Sequence, residues 1–222
     1  MIFDGCHMDA DVLICSFTGV YEREGLTEDY DTVDLSDLSG TRMYIDDASE
    51  LEIRKRLEAA GFPGDYGIRF LDNGNYHYMT RIMASFIKEP FDLITFDNHT
   101  DDKPPAFEGV RSCGSWRLDA ALENKYLRRS MLIRRAGDMK EGYTASELPL
   151  YISLDKDVLS EEVLSTNWDQ GSMREEELTL ILKELYKTRR IIAFDICGED
   201  LPDEPCKNNL EFNRRMIGLT QI

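Results

Sequence analysis

The sequence predicts an α/β domain with a mostly parallel sheet and helices on both faces. Short apolar segments alternate along the chain with longer amphipathic segments, as expected for a sheet built from βαβ units. A strand and a helix followed by the Gly/Pro stop at residues 61–64 form half of such a unit. The length of 222 residues suits one large α/β domain, so we expect a single domain over residues 1–222.

Strands are expected where short apolar runs are bounded by polar or turn-forming residues. These runs lie at residues 11–17, 41–45, 67–71, 91–96, 130–133, 148–154 and 190–196. Residues 22–40 are polar, acidic and turn-rich, and we interpret them as an irregular surface excursion between the first two strands.

Helices are expected between these strands. They cover approximately residues 47–60, 77–86, 116–128, 175–187 and 208–219. Ser49 is the candidate N-cap of the first helix. The helix at 175–187 has the most regular pattern, because Leu178, Ile181, Leu182 and Leu185 fall on one face.

Composition and charge exclude several classes of protein. The net charge of −17 would repel a phosphate backbone, so nucleic acid is not an expected partner. No apolar run approaches the roughly 20 residues that a membrane span needs, and residues 1–7 lack the features of a secretory signal. The cysteines are odd in number and show no CxxC spacing, so free thiols in a reducing cytoplasm are expected. They are Cys6, Cys15, Cys113, Cys197 and Cys206.

A candidate metal site follows the predicted strand at residues 91–96. Asp97, His99 and Asp101 are spaced by two, so in an extended segment their side chains point the same way. Two carboxylates and an imidazole at such close range would repel and stay hydrated unless a cation held them. This donor set suits Mn, Zn or Fe.

The same pattern recurs after the predicted strand at residues 148–154, which delivers Asp155 and Asp157. Ligands from two strand ends are too many for one small cation with an open position. Two metals that share bridging carboxylates would use all of them, and two-metal sites activate water for hydrolysis. His77, at the junction of a predicted strand and a helix, is a further candidate ligand.

Together these motifs resemble the arginase/agmatinase (ureohydrolase) superfamily. They are Asp-X-His-Thr-Asp at 97–101, Ser-X-Asp-X-Asp at 153–157 and Gly-X-X-His at 74–77. The resemblance covers about residues 67–200 and implies a three-layer α/β/α sandwich of the arginase/deacetylase type. It would place one metal on His77, Asp97, Asp101 and Asp155, and the other on Asp97, His99, Asp155 and Asp157.

The resemblance also implies a reaction, the hydrolysis of a C–N bond in a small guanidino, amidino or amide substrate. Two divalent cations, Mn²⁺ with Fe²⁺ or Zn²⁺ as alternatives, would lower the pKa of a bridging water so that hydroxide attacks the planar carbon. Asp101 or Glu199 would handle the proton. Superfamily members are often oligomers, so a homo-oligomer is implied as well.

Three departures from the superfamily pattern leave alternatives open. The usual substrate-binding Glu falls at Gly198, so either a bulge returns Glu199 to the site or the guanidinium contact is absent. No histidine follows His99, so the usual proton shuttle is missing, and the interval between Asp101 and Asp155 is short. The alternatives are a deacetylase-like amide hydrolase with one metal and a non-catalytic, metal-stabilised binding protein.

Overall fold

The computed structural model describes residues 11–64, 66–105, 110–200 and 207–220. Its strands are β1 Asp11–Ser16, β2 Asp31–Asp34, β3 Tyr44–Ile45, β4 Tyr66–Phe70, β5 Phe91–Phe96, β6 Arg111–Ser112, β7 Leu127–Ile133, β8 Leu150–Asp155 and β9 Ile191–Cys197. Seven of them form one sheet in the order β2-β1-β4-β9-β8-β5-β7. Every neighbouring pair in this sheet is parallel, which confirms the predicted sheet type. β3 and β6 form a separate antiparallel pair.

Helices cover both faces of the sheet. They are α1 Val20–Glu24, α2 Asp47–Ala59, α3 Met79–Ala84, α4 Trp116–Glu123, α5 Glu141–Thr144, α6 Glu175–Thr188 and α7 Lys207–Leu219. In β1, Val12 and Ile14 belong to the core formed with α6 and α7. Leu13 and Cys15 belong to the opposite core, formed with α2, α3 and α4. This alternation confirms the three-layer α/β/α arrangement.

The strands at the centre of the sheet direct their carboxyl ends to one edge. β5 and β8 are buried along their whole length, because helices cover both of their faces. They are neighbours in the sheet, with Phe96 opposite Leu154. Since all strands of the sheet run in the same direction, the residues that follow β4, β5, β8 and β9 meet at the same edge.

The prediction of an irregular excursion at residues 22–40 is wrong. This segment contains most of α1 and the strand β2, which extends the sheet beside β1. Val33 is the only buried residue of β2, because an edge strand has one neighbour and a largely exposed surface. The segment therefore lacks the apolar run by which a strand is recognised in a sequence.

Other elements lie close to their predicted positions but with different boundaries. In the run 41–45 only β3 is extended, and it lies outside the main sheet. The N-cap of α2 is Asp46, whose carboxylate accepts a hydrogen bond from the Ser49 amide at 2.8 Å. Ser49 is thus not the cap. α4 ends at Glu123, so β7 begins earlier than predicted.

Three of the cysteines lie in the described ranges. Cys15, Cys113 and Cys197 are buried free thiols, as predicted, whereas Cys6 and Cys206 lie outside the described residues. None of the helices described here combines the length and the apolar character that crossing a membrane requires.

Candidate metal centre

The centre forms at the edge of the sheet where β4, β8 and β5 end, with β9 between β4 and β8. Asp97 directly follows β5, and Asp155 is the last residue of β8. Because Phe96 lies opposite Leu154 in the register, the next residues on the two strands are also neighbours. His77 arrives after β4 through the 3-10 turn Gly74–Tyr76, and the helix predicted at residues 77–86 is observed as α3.

The His77 imidazole faces three carboxylates. Its Nδ1 atom lies 3.3 Å from Asp97 Oδ2, 3.4 Å from Asp101 Oδ2 and 3.2 Å from Asp155 Oδ2. The opposite ring atom, Nε2, lies 2.9 Å from the Ser153 hydroxyl. Ser153 therefore orients the ring so that Nδ1 points at the carboxylates.

A second group of side chains surrounds His99. Its Nδ1 lies 2.7 Å from Asp157 Oδ2 and 3.7 Å from Asp97 Oδ1. The other oxygen of Asp157 accepts a hydrogen bond from the Asn98 amide at 2.9 Å. Asp97 thus contributes one oxygen to each group and lies between the two histidines.

The arrangement fits divalent cations. Two sets of side chains offer ligand atoms within 4.8 Å of one another, namely His77, Asp97 and Asp155, and Asp97, His99 and Asp157. His77 Nδ1 and Asp97 Oδ2 are buried and make no hydrogen bond, although polar atoms without partners are costly in an interior. Carboxylate and imidazole donors together suit Mn²⁺, Fe²⁺ and Zn²⁺. The structure brings together all of the ligands predicted from the sequence.

The electrostatics of the cluster show how much negative charge it concentrates. Burial raises the pKa of Asp97 well above its ordinary value, and the charge of Asp101 adds to this effect. Burial and then the charge of Asp155 raise the pKa of Asp157 to about 6. The hydrogen bond to Asp157 raises the pKa of His99 to about 10. These shifts reflect a crowding of negative charge that a divalent cation would compensate.

Asp101 is held in place by an unusual backbone and by Trp116. Its φ of 47° lies in the left-handed region, which an aspartate adopts at low cost. Trp116 is fully buried and donates a hydrogen bond from Nε1 to Asp101 Oδ2 at 2.8 Å. The carboxylate therefore has a fixed direction toward His77.

A cavity of about 460 Å³ opens above the cluster. Met43, Tyr44, Lys103, Pro104, Arg134 and Trp168 are among the residues that line it, together with His99, Asp101 and Asp155. A Cβ atom at Gly74 would lie 2.6 Å from the Trp168 ring and 3.3 Å from Asp155 Oδ2. Glycine is therefore required here, and the indole packs close to a candidate ligand.

Asp169 is a site residue that the sequence did not indicate. Its Oδ1 lies 3.0 Å from His99 Nε2, on the opposite side of the ring from Asp157. Its carbonyl accepts a hydrogen bond from the Asn98 side chain at 2.9 Å. A carboxylate on the outer nitrogen of a histidine fixes the tautomer that leaves Nδ1 free to bind a metal. Asp169 lies in a loop without periodic pattern, so no sequence signal could identify this contact.

Glu199 does not join the cluster. It is fully buried, forms an ion pair with Lys156 Nζ at 2.5 Å and accepts a hydrogen bond from Asn213 at 2.7 Å. Gly198 occupies the position beside the cluster with a φ of +95°, and a Cβ atom there would collide with Asp155 Oδ1. Of the two predicted alternatives, the geometry agrees with an absent guanidinium contact. Asp195, in β9, pairs with Arg69 at 2.7 Å.

Glu24 lies close to the Lys156–Glu199 pair and is also buried. Neither of its carboxylate oxygens makes a hydrogen bond. Burial raises its pKa to about 8, with a further contribution from the charge of Glu199, while Lys156 lowers it. Arg23 also lowers this pKa and Asp72 raises it, both to a smaller extent. The raised pKa favours the protonated form of Glu24 at neutral pH.

Sequence comparison identifies one curated relative. A protein of Thermotoga maritima with no assigned function is 30% identical over 205 residues, which cover 86% of this chain and 80% of that protein. No model of a protein family matches the chain.

Solved structures of several hydrolases share the fold. Proclavaminate amidino hydrolase from Streptomyces clavuligerus aligns with a TM-score of 0.66 at 13% identity, over 96% of this chain and 91% of that one. Formiminoglutamase from Trypanosoma cruzi, solved with Mn²⁺, aligns with a TM-score of 0.61 at 13% identity, over 99% of this chain and 96% of that one. Arginases and agmatinases are among the other matches.

Asp169→Ala should weaken metal binding without unfolding the protein. Loss of a carboxylate that orients a metal-binding histidine typically reduces metal affinity by about 10- to 100-fold, and the exposure of Asp169 favours the lower end. Asp169→Asn, which keeps an acceptor, should lose less. Isothermal titration calorimetry with Mn²⁺ measures the metal affinity of each variant. Glu161→Gln, which removes an exposed acid from the segment that precedes Asp169, is the control, and equal affinities in all variants would contradict the assigned role.

Glu24→Gln should remove a pH dependence of stability. The pKa of Glu24 is 4.5 in the unfolded chain and about 8 in the folded protein. Its contribution to the stability of the fold is therefore fully present below pH 4.5 and is lost as pH rises through 8. The free energy of unfolding of Glu24→Gln should therefore exceed that of the wild type. The difference between the two should increase with pH across this window, by at most about 1.4 kcal/mol per pH unit.

Urea unfolding between about pH 5 and 9 measures this margin. The matched control is Glu28→Gln, which removes an exposed carboxylate from the same region and should follow the wild type at every pH. A constant margin between Glu24→Gln and the wild type would show that Glu24 is ionised in the folded protein.

Proposed function

This chain belongs to one family with the Thermotoga maritima protein and has the arginase/agmatinase fold, and on that premise we propose that it is a binuclear metal-dependent hydrolase. The reaction is the hydrolysis of a C–N bond in a guanidino, amidino or amide group of a small molecule. The observation that carries the proposal is the convergence of two histidines and four aspartates at one end of the sheet. Mn²⁺ is the first candidate metal, because it suits these donors and is present in the Trypanosoma cruzi structure.

The residues have separate roles in this proposal. His77, Asp97, Asp101 and Asp155 would hold one cation, and Asp97, His99, Asp155 and Asp157 the other. When bound, such cations act as Lewis acids and lower the pKa of water. Ser153 and Asp169 orient the two histidines from behind.

Asp101 is the candidate for proton transfer. It lines the cavity, whereas Glu199, the other candidate from the sequence, is committed to Lys156. Its direction is fixed by Trp116, so a proton accepted there stays next to the reacting group. Asp101 thus combines the roles of ligand and proton acceptor.

Amide hydrolysis is the second candidate function, and Gly198 favours it. A guanidinium substrate gains from a carboxylate partner in the cavity, and none of the described residues provides one outside the metal cluster. A neutral amide needs no such partner. An assay of both substrate classes therefore distinguishes the two reactions.

Asp97→Ala and Asp155→Ala should each abolish tight metal binding. Each substitution removes an oxygen ligand that faces a histidine. The loss of metal affinity should therefore exceed the approximately 100-fold loss that substitutions outside the ligand shell cause. Elemental analysis after expression with Mn²⁺ should give two metals per chain for the wild type and fewer for both variants. Asp102→Ala, which removes an exposed neighbouring acid, should keep the wild-type content.

Activity is tested on the same samples by ammonia, urea and carboxylate release from guanidino, amidino and amide compounds. Turnover that requires the metal supports a hydrolase and identifies the bond class. Full metal content in Asp97→Ala and Asp155→Ala would refute the site. Two bound metals without turnover on any class would point to a metal-stabilised binding protein.

A further inference from the structure

The charged residues that line the cavity fall into two sets. His99, Asp101 and Asp155 belong to the metal cluster, and the others are Lys103 and Arg134. Outside the cluster, the described part of the cavity wall thus carries positive charge only. This is unexpected from composition, because the chain has 43 acidic and 26 basic residues.

Neither cation is neutralised by a partner in the described residues. Both side chains are exposed at the cavity, and no described carboxylate forms an ion pair with either of them. Among the described residues, both charges are thus available to a ligand at the cavity.

Both cations belong to segments that adjoin the metal cluster. Arg134 follows β7, and its Nη2 donates a hydrogen bond to Asn98 Oδ1 at 3.3 Å. Asn98 in turn donates its backbone N–H to Asp157 Oδ1, so one residue connects the guanidinium to a candidate ligand. Lys103 lies two residues after Asp101. Its backbone N–H donates a hydrogen bond to the Gly114 carbonyl at 3.1 Å, which fixes this segment.

The rest of the wall is mostly apolar. Met43, Tyr44 and Trp168 lie along it, and the volume of about 460 Å³ suits a small molecule. A substrate would therefore place its reacting group at the cluster and its carbon chain along these side chains. The group at its other end would meet Lys103 and Arg134.

We infer that the substrate carries a carboxylate distant from the scissile C–N bond, and that Arg134 and Lys103 bind this carboxylate. The planar guanidinium of Arg134 suits a bidentate contact with a carboxylate, and Lys103 adds a second charge from another segment. The inference rests on the proposed function, because it names the substrate class of the same site. It makes Arg134 and Lys103 determinants of specificity.

The first experiment compares two substrates with the same reacting group and opposite charges at the far end. They are 4-guanidinobutyrate and agmatine, assayed with the Mn²⁺-loaded protein. The wild type should have a kcat/KM at least about tenfold higher for the anionic compound, as expected from one charge-assisted hydrogen bond. Arg134→Glu should reverse or abolish this preference through KM, and Arg134→Gln should reduce it.

Lys183→Glu is the matched control, because it makes the same change in net charge at an exposed position of α6 away from the cavity. It should leave the preference unchanged. Equal use of both compounds by the wild type, or an equal effect of Lys183→Glu and Arg134→Glu, would overturn the inference while leaving a hydrolase in place.

The second experiment does not depend on turnover. Glutarate, a dicarboxylate of similar length, and 1,5-diaminopentane are titrated into the Mn²⁺-loaded protein by calorimetry. Glutarate should bind the wild type and Lys183→Glu, bind Arg134→Glu about 10- to 100-fold more weakly, and outcompete the diamine. Such binding without hydrolysis of any substrate would refute the proposed function alone. Glutarate affinity that Arg134→Glu leaves unchanged would refute the carboxylate site alone.

Discussion

The burial of several carboxylates at one edge of a parallel sheet is the constraint on which the rest of this structure depends. Asp97 and Asp155 are neighbours because Phe96 and Leu154 are opposite each other on the two central strands. Like charges so close together in an interior are tolerable only when protons, hydrogen bonds or cations compensate them. The surrounding chain supplies protons through the two histidines and hydrogen bonds through backbone amides such as that of Asn98. Bound cations would compensate the remaining charge.

The segment Asp155–Asp157 connects this edge to the opposite layer. Its two aspartates face the cluster. Lys156, the residue between them, is fully buried on the other side, where it pairs with Glu199 and lies close to Asn213. A buried ammonium without a carboxylate would be strongly destabilising, so Glu199 is needed where it is. The acid at position 199 therefore has a structural reason. It anchors the segment behind the candidate metal ligands.

The sequence predicts best what burial and strand ends determine. β5 and β8 have unbroken apolar runs because both of their faces are covered, and the candidate ligands follow those runs at once. The edge strand β2, with Val33 alone buried, offers no such signal. Asp169 reaches His99 from an irregular loop, and the side to which Glu199 points depends on the left-handed backbone of Gly198. Such contacts arise from tertiary structure, so neither periodicity nor spacing reports them.

The acidity of the chain does not oppose an anionic substrate at this cavity. At physiological ionic strength the Debye length is about 8 Å, so most of the net charge of −17 is screened from the cavity. The nearest negative charges are those of the four cluster aspartates and that of Asp169, which lies 3.0 Å from His99 Nε2. Two divalent cations would carry the opposite charge in equal amount, so the loaded cluster would be neutral. The charged side chains that line the cavity outside the cluster are Lys103 and Arg134. Metal binding would thus change the local field from repelling a carboxylate to attracting it, and would couple loading of the centre to recognition of the substrate.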